Sequence, residues 1–183
     1  DPLTELPNRT LFQEFLKART SQEDLSARQV AVLYVDLDFF KSVNDLHGHD
    51  QGDQVLKQAA FKLKKVLSEG SLVARLSGDE FAIIVDLLEP GELEFVCRRV
   101  VCTFDEPVLV GEKQYFLSVS VGAAIYPLHA DGPAELLQKA DRAMYGAKEA
   151  GRSCHRIYSI EDNRYLEYQG MLAEAFVASL KLA

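Results

Sequence analysis

Residues 75–81, which read Arg-Leu-Ser-Gly-Asp-Glu-Phe, constrain the fold more than any other part of the chain. They lie between two apolar runs, residues 72–74 and residues 81–85. Two strand-like runs that are joined by a tight turn with a glycine predict a β-hairpin. The tip of this hairpin would present two adjacent carboxylates, Asp79 and Glu80, beside Gly78, which has no side chain.

A second group of acids ends another apolar run. Residues 30–35 are Val-Ala-Val-Leu-Tyr-Val, and Asp36, Leu37 and Asp38 follow directly. Because this run is nearly all apolar, it predicts a central strand that is buried on both faces. Acid pairs at the ends of two strands that face one cleft supply the hard oxygen ligands of a divalent-metal phosphoryl-transfer site.

The rest of the chain mixes helical and strand-like periodicity without a strict strand–helix–strand repeat, which predicts an α+β fold. Asn8 is expected to cap the first helix, which would bury Leu11, Phe12, Phe15 and Leu16 on one face. The helices are expected over residues 9–19, 39–43, 50–67, 91–103 and 134–148, and the strands over residues 30–37, 72–74, 81–85, 115–125 and 155–158.

Composition and charge limit the classes of partner. The chain has 183 residues, of which 48% are hydrophobic and 26% charged, as expected for one globular domain. A net charge of −8 argues against a nucleic-acid polymer or an anionic membrane as partner. The three cysteines lack metal-ligand spacing and no run is apolar enough to cross a bilayer, so we expect a cytoplasmic domain. Because the chain starts at Asp1 without a methionine, we expect a longer parent protein, in which a sensor or membrane anchor could lie outside this segment.

Five short motifs follow one another in a recognisable order. They are Asp-Leu-Asp-Phe-Phe-Lys at 36–41, Asn-Asp at 44–45, Gly-His-Asp at 48–50, Gly-Asp at 52–53 and Ser-Gly-Asp-Glu-Phe at 77–81. Residues 1–9, residues 140–148 and Gly151-Arg152 match the same pattern. The chain therefore resembles a GGDEF domain, the diguanylate cyclase family that makes cyclic di-GMP from two GTP. The resemblance implies a ferredoxin-like, palm-type sheet that is mostly antiparallel and flanked by helices, as in nucleotidyl cyclases.

The resemblance implies a metal site for Mg²⁺ or Mn²⁺. Its ligands would be the carboxylates of Asp36 and Asp79 and the backbone carbonyl of Leu37. Glu80 matches the catalytic residue, either as general base or as a second metal-site carboxylate. Because a carboxylate near a divalent ion has a lowered pKa, Glu80 would be a weak base and would share that role. Asp38 is either a further acid near the metal or the cap of the following helix, and the cap is favoured.

Further residues match the family's contacts with the triphosphate of GTP. Free amides at a helix start bind phosphate, which fits the backbone of Phe39 and Phe40, whose side chains are expected in the core. Lys148 and Arg152 are spaced to share one helical face, and the alternative is that both offset a helix dipole. The implied phosphate-binding set is Phe39, Phe40, Lys41, Gly78, Lys148 and Arg152.

Three residues match the contacts with guanine. The carboxylate of Asp53 can accept from the ring N–H and exocyclic amine of guanine, and the amide of Asn44 can bond another position on the base edge. Leu56 matches an apolar wall beside the base. The alternative for Asn44 and Asp53 is local capping of loops and helices.

Two departures from the family pattern affect activity and feedback. Ser77 stands where the signature begins with glycine, a residue that permits close approach of phosphate and positive φ, so Ser77→Gly is expected to raise activity or GTP affinity. The segment Ser68-Glu69-Gly70-Ser71 occupies the position of an Arg-x-x-Asp product-inhibition site and has neither the arginine nor the aspartate. This feedback site is therefore expected to be absent.

The sequence thus predicts a GGDEF domain over residues 1–158 and an amphipathic helix over residues 159–183. Tyr165, Tyr168, Leu172, Phe176 and Leu180 give the helix its apolar stripe, which either packs on the domain or connects it to a following EAL phosphodiesterase domain. The first functional hypothesis is a metal-dependent cyclase that acts on GTP as a homodimer of half-sites. The alternative is a weak or inactive GTP-binding domain that regulates an attached EAL phosphodiesterase.

Overall fold

The computed structural model describes residues 1–21, 29–89 and 91–159 of the chain. These parts form five helices and seven strands. The helices are α1 (Arg9–Thr20), α2 (Phe40–His47), α3 (His49–Val66), α4 (Glu92–Cys102) and α5 (Pro133–Glu149). The strands are β1 (Gln29–Leu37), β2 (Leu72–Ser77), β3 (Glu80–Leu87), β4 (Val108–Val110), β5 (Lys113–Tyr115), β6 (Val119–Tyr126) and β7 (His155–Ile157).

The central sheet has five strands in the order β2-β3-β1-β6-β7, and β4 and β5 form a separate two-stranded ribbon. All neighbours in the central sheet are antiparallel except β6 and β7, which are parallel. The prediction of an α+β fold with a mostly antiparallel sheet is therefore confirmed. The predicted hairpin is also confirmed, since β2 and β3 are joined by the turn at Gly78 and Asp79.

Helices cover both faces of the sheet, which explains why β1 is buried along almost its whole length. Side chains alternate between the two faces of a strand. Ala31, Leu33 and Val35 accordingly pack in the core under α3 and α4. Val30 and Val32 pack on the opposite face, under α1 and α5. Because β1 is the central strand, its C-terminal end lies in the middle of one end of the sheet, next to solvent.

Some local predictions are wrong in detail. In α1, Phe12 and Leu16 are buried as expected, but Leu11 and Phe15 are each 41% exposed, because only one narrow stripe of this helix contacts the sheet. The single strand expected over residues 115–125 is divided between β5 and β6, and β4 was not predicted. The helix predicted over residues 159–183 lies almost wholly outside the described residues and stays a prediction.

The described parts of the chain contain no helix with the length and apolar character needed to cross a bilayer.

Candidate active site

The two acid pairs that the sequence singles out meet at one edge of the sheet. Asp36, near the end of β1, is directly opposite Glu80, the first residue of β3. The backbone amide of Leu37 donates to the carbonyl of Asp79 at 3.3 Å, which fixes the hairpin turn against the end of β1. Asp36 is 7% exposed, so its carboxylate lies largely out of water.

One lysine offsets the charge of Asp36. Lys148, in the last turn of α5, places its Nζ 2.7 Å from Oδ2 of Asp36. Burial raises the pKa of Asp36, the ion pair with Lys148 opposes that rise, and the charges of Asp79 and Asp38 add to it. The end of β1 is thus a concentration of negative charge with a cation at its side, which is suited to a divalent ion and a phosphate chain.

Asp38 is not the cap of α2, so that prediction is wrong. The cap residue is Phe39, and α2 begins without a side-chain cap bond. Asp38 is 2% exposed, and its Oδ1 accepts from the hydroxyl of Ser120 at 2.7 Å. Its Oδ2 accepts from the hydroxyl of Ser118 at 2.7 Å and from the amide of Ser153 at 3.1 Å. Asp38 therefore ties the loop after α5 to the end of β1.

This anchored loop carries Arg152 into the site. Arg152 and Lys148 do not share a helical face as expected, because α5 ends at Glu149 and Arg152 has left-handed backbone geometry, with φ 67°. The Nε of Arg152 lies 4.0 Å from Oδ1 of Asp38, and its guanidinium lies 5.1 Å from the centre of the Phe39 ring. The two cations nevertheless converge, one on Asp36 and one on Asp38.

The residues of the predicted phosphate cradle lie at the start of α2. Phe39 has φ 59° and is 66% exposed, so the expectation that its side chain lies in the core is wrong, whereas Phe40 is buried as expected. Lys41 follows in the first turn of α2 and is exposed. The amide of Ser42 donates to the carbonyl of Phe39 at 2.9 Å, and the amides before it, at Phe40 and Lys41, are at the helix start, where amides can donate to an anion.

The predicted guanine contacts lie together across α2 and α3. A Cβ added to Gly52 would lie 3.0 Å from Cγ of Asn44 and closer still to its Oδ1, so the Asn44 side chain packs directly over the Gly52 backbone. Asp53 is the next residue and is exposed on α3. Leu56 is 3% exposed and belongs to the core, so it could border a ligand only through a small part of its surface.

Arg75 connects this region with the hairpin turn. Its Nε donates to the carbonyl of Gly78 at 2.9 Å. Burial lowers the pKa of Arg75, while the charges of Asp53 and Asp79 oppose that shift. Arg75 thus contacts the hairpin turn, pairs with Asp1 at 3.2 Å, and feels the charges of the candidate guanine contact and the candidate metal ligand. Sequence reasoning gave it no role, because its charge partners are on other elements.

The conformational reason for preferring glycine at position 77 is wrong. Among the described residues other than glycine, positive φ occurs at Glu5, Phe39, Arg152 and Ser153, and Ser77 is not one of them. The turn's positive φ is at Gly78, with φ 44°. Ser77 ends β2 with an exposed side chain whose hydroxyl donates to Oε2 of Glu80.

Glu80 is surrounded by residues to which the sequence analysis gave no individual role. Arg9 places a guanidinium nitrogen 3.8 Å from Oε2 of Glu80. The pKa of Tyr34 is raised to about 12, first by burial and then by the charge of Glu80, and its hydroxyl hydrogen-bonds with Arg9 and Glu80. Burial raises the pKa of Asp141, and the charge of Glu80 raises it further. The position of Tyr34, two residues before Asp36 on one strand face, is the signal that could have identified it.

The donor set fits a hard divalent cation such as Mg²⁺. Asp36 and Asp79 offer carboxylates and Leu37 a backbone carbonyl, all from oxygen. The described residues contain no group of three or more His, Cys, Asp or Glu side chains placed to hold a metal ion. Two carboxylates and one carbonyl leave coordination positions for phosphate oxygens and water, as Mg²⁺ sites at nucleotides commonly do.

The comparison with protein families assigns the chain to a class. The model of the family described as "Diguanylate cyclase, GGDEF domain" matches residues 1–154. The chain therefore belongs to the GGDEF domain family, as the motifs predicted. The assignment rests on most of the chain and not on the signature alone.

Individual relatives come from bacterial cyclic di-GMP signalling. The chain is 38% identical over 169 residues to the diguanylate cyclase TpbB of Pseudomonas aeruginosa, covering 91% of this chain and 39% of TpbB. It is 35% identical to the cyclic di-GMP phosphodiesterase NbdA of the same species, covering 87% of this chain and 20% of NbdA. A solved structure of the TpbB GGDEF domain superposes with a TM-score of 0.86, covering 91% of this chain and 98% of that chain. The chain thus spans 39% of the length of TpbB and 20% of the length of NbdA.

Proposed function

We propose that this domain is a metal-dependent diguanylate cyclase, which joins two GTP into cyclic di-GMP and releases pyrophosphate. The observation that carries the proposal is the meeting of Asp36, Leu37 and Asp79 at one strand edge, with Lys148 and Arg152 beside them. Phosphoryl transfer depends mainly on positioning and on neutralising the charge of the phosphates, and this arrangement supplies both.

In this proposal the acids hold the ion and the cations hold the nucleotide. A bound Mg²⁺ would offset the triphosphate charge and favour loss of the hydroxyl proton. Lys148 is 2.7 Å from Asp36, so small rotations of its long side chain would bring it to a phosphate. Arg152 is exposed, and Asp38 fixes the loop that carries it, so the guanidinium group of Arg152 can face phosphate oxygens.

Glu80 is proposed to receive the proton from the ribose 3′-hydroxyl, sharing this role with the metal ion. Each protomer would hold one GTP, and two protomers would face each other across a two-fold axis so that each hydroxyl reaches the other α-phosphorus. Homodimer formation is thus part of the proposal, because one site holds only half of the reactants.

A second function is favoured by the relatives. NbdA carries a similar segment and is named as a phosphodiesterase. A domain of this kind could bind GTP without turnover and regulate an attached EAL phosphodiesterase. Only the first function yields cyclic di-GMP, so a direct assay for that product distinguishes the two functions.

The decisive experiment is incubation of the full-length parent protein with GTP and Mg²⁺, followed by chromatographic detection of cyclic di-GMP. The full-length protein is required because this domain alone could dimerise too weakly. Cyclic di-GMP formation that is lost on chelation with EDTA would support the cyclase. GTP binding without product would support the regulatory function.

Base recognition provides a separate prediction. Asp53→Ala should reduce the preference for GTP over ITP, which lacks the exocyclic amine that the carboxylate would accept from. Loss of a hydrogen bond to a charged group costs roughly 1.5–3 kcal/mol, so the preference should fall by about tenfold or more. Nucleotide affinity is measured for both ligands, with Gln54→Ala, an exposed neighbour on α3, as the matched control. Equal discrimination by wild type and Asp53→Ala would remove Asp53 from the base site.

Product feedback provides another prediction. Cyclic di-GMP should not inhibit turnover through residues 68–71, where the hydroxyls of Ser68 and Ser71 lie 3.3 Å apart and offer only neutral bonds. Arg19 reaches this turn but donates to the carbonyl of Gly70 at 2.8 Å and pairs with Asp86 at 2.7 Å. Initial rates are measured against added cyclic di-GMP, with Ser68→Arg plus Ser71→Asp as the comparison. Non-competitive inhibition of the unmodified protein at micromolar product would contradict the prediction.

A further inference from the structure

We infer that Arg9, Tyr34 and Ser77 are positioning residues for Glu80, an inference that rests on the proposed cyclase function. The three residues come from α1, β1 and β2, and each directs a donor at the same carboxylate. They do not contact the substrate in this role. They act through Glu80 by fixing where its carboxylate lies.

The first two contacts approach the same oxygen of Glu80. The hydroxyl of Ser77 donates to Oε2, and the guanidinium of Arg9 lies 3.8 Å from that atom. Ser77 is held in place as the last residue of β2, and Arg9 as the first residue of α1, whose cap is the side chain of Asn8. Both donors are therefore carried by regular elements and not by free loops.

Tyr34 provides the third contact. It lies two residues before Asp36 on β1, and both side chains therefore project from the same face of the strand. Tyr34 is 5% exposed, and its hydroxyl hydrogen-bonds with Arg9 and Glu80. A buried phenol whose hydroxyl has charged partners has few alternative orientations, so it gives Glu80 a rigid support.

A neighbouring acid explains why Glu80 needs to be held. Burial raises the pKa of Asp141, on α5, and the charge of Glu80 raises it further, while Lys148, Arg9 and Arg142 act in the opposite direction. Glu80 thus faces a like charge from α5 and a cation from α1. Without Arg9, repulsion from Asp141 would favour other rotamers of the glutamate.

Fixing this rotamer matters for a proton acceptor. Glutamate has three rotatable side-chain bonds, and ordering a long side chain has an entropic cost that the site must meet before reaction. A displacement of about 1 Å in a reacting group can reduce the rate by as much as about a hundredfold. Loss of positioning should therefore lower kcat and leave GTP affinity nearly unchanged, because Glu80 is not proposed to bind GTP.

The test compares two arginines that connect the same helix to the same strand. Arg9 meets Glu80 at the start of β3, and Arg19 meets Asp86 near its end at 2.7 Å. In the full-length protein, Arg9→Ala should lower kcat for cyclic di-GMP by about tenfold, with KM for GTP within about twofold. Arg19→Ala should leave kcat and KM within about twofold of the wild-type values, although it also removes an ion pair between α1 and β3. Thermal unfolding of both variants separates loss of folding from loss of rate.

Conservative variants complete the test. Arg9→Lys keeps the charge and should recover most of the rate, within about threefold of wild type. Tyr34→Phe removes only the hydroxyl and should lower kcat by a few fold. Ser77→Gly should lower kcat as well, which reverses the expectation from sequence, because the lost group is a donor to Glu80 and not a source of backbone strain.

The outcomes distinguish this inference from the proposed function. If the unmodified protein makes cyclic di-GMP and Arg9→Ala keeps the wild-type kcat, the positioning role is wrong and the cyclase stands. A rise in kcat for Arg9→Ala would likewise overturn the role, since it would mean that the contacts restrain Glu80. If the unmodified protein makes no cyclic di-GMP, the cyclase and the positioning role fail together.

Discussion

Replacing Asp79 with alanine should abolish cyclic di-GMP formation and leave the domain folded. Asp79 offers one of the two carboxylates of the candidate metal site, and its charge acts on both Asp36 and Arg75. Loss of a directly bound carboxylate should lower kcat by at least about a hundredfold, more than loss of a supporting contact. The bond from the Leu37 amide to position 79 uses the backbone carbonyl, so the variant keeps it.

The measurement needs metal-dependent and metal-independent readouts. Turnover is assayed over a range of Mg²⁺ concentrations, and GTP affinity is measured with and without Mg²⁺. Asp79→Ala should affect turnover and metal-supported binding strongly, and binding without metal less. Asp105→Ala, which removes an exposed acid from the turn after α4, is the charge-matched control. Normal cyclase rates in Asp79→Ala would remove Asp79 from the metal site.

The strand-end carboxylates could be predicted from sequence because each follows or begins an apolar run. The run before Asp36 predicts a buried strand, and the run after Glu80 predicts the second strand of the hairpin that begins at residues 72–74. The register of β1 and β3 then places these two residues opposite each other. The motifs add Lys148 and Arg152, which lie beside Asp36 and Asp38 in the structure.

The role of Asp38 could not be predicted in the same way. A residue before a short helix favours capping on local grounds. Its actual partners, Ser118, Ser120 and Ser153, lie 80, 82 and 115 residues away in the sequence. Three bonds to a buried carboxylate stabilise more than one exposed cap bond, so tertiary contacts overrule the local preference.

At Ser77, too, the family pattern gave the wrong conformational reason. Its place in the signature predicts that glycine would be the better residue, because glycine permits positive φ and close approach of phosphate. In the structure the position with positive φ is Gly78, and Ser77 is an ordinary strand residue with a donor beside Glu80. The effect of Ser77 therefore depends on the side chain of Glu80. The orientation of Glu80 depends on Arg9 and Tyr34, and no local sequence motif connects these two residues to Glu80.

Replacing Gly122 with alanine should destabilise the domain strongly. Gly122 lies in β6 between Tyr34 of β1 and Arg156 of β7. An added Cβ would lie 2.6 Å from the backbone carbon of Ala143 and closer still to Met144 N and Ala140 O. These are backbone atoms of α5, so the helix itself would have to move away from the sheet.

The expected loss of unfolding free energy is about 3 kcal/mol or more, because overpacking against backbone cannot be relieved by a rotamer change. For a domain of this size that corresponds to a fall in Tm of about 6–12 °C. Since α5 carries Lys148 and leads to Arg152, its displacement should also weaken GTP binding in the fraction that stays folded. Thermal and urea unfolding measure the first effect, and nucleotide titration the second.

Gly132→Ala is the matched control. Gly132 precedes α5, has an extended backbone with φ −164°, and has no atom within 4 Å of an added Cβ. Alanine at such a helix cap should change stability by less than about 1 kcal/mol, since the lost cap preference is partly offset by a less flexible unfolded chain. The two variants thus add the same methyl group near one helix, and only the one that meets the α5 backbone should lower Tm strongly. Similar Tm values for both would mean that α5 packs less closely on β6 than the structure has it.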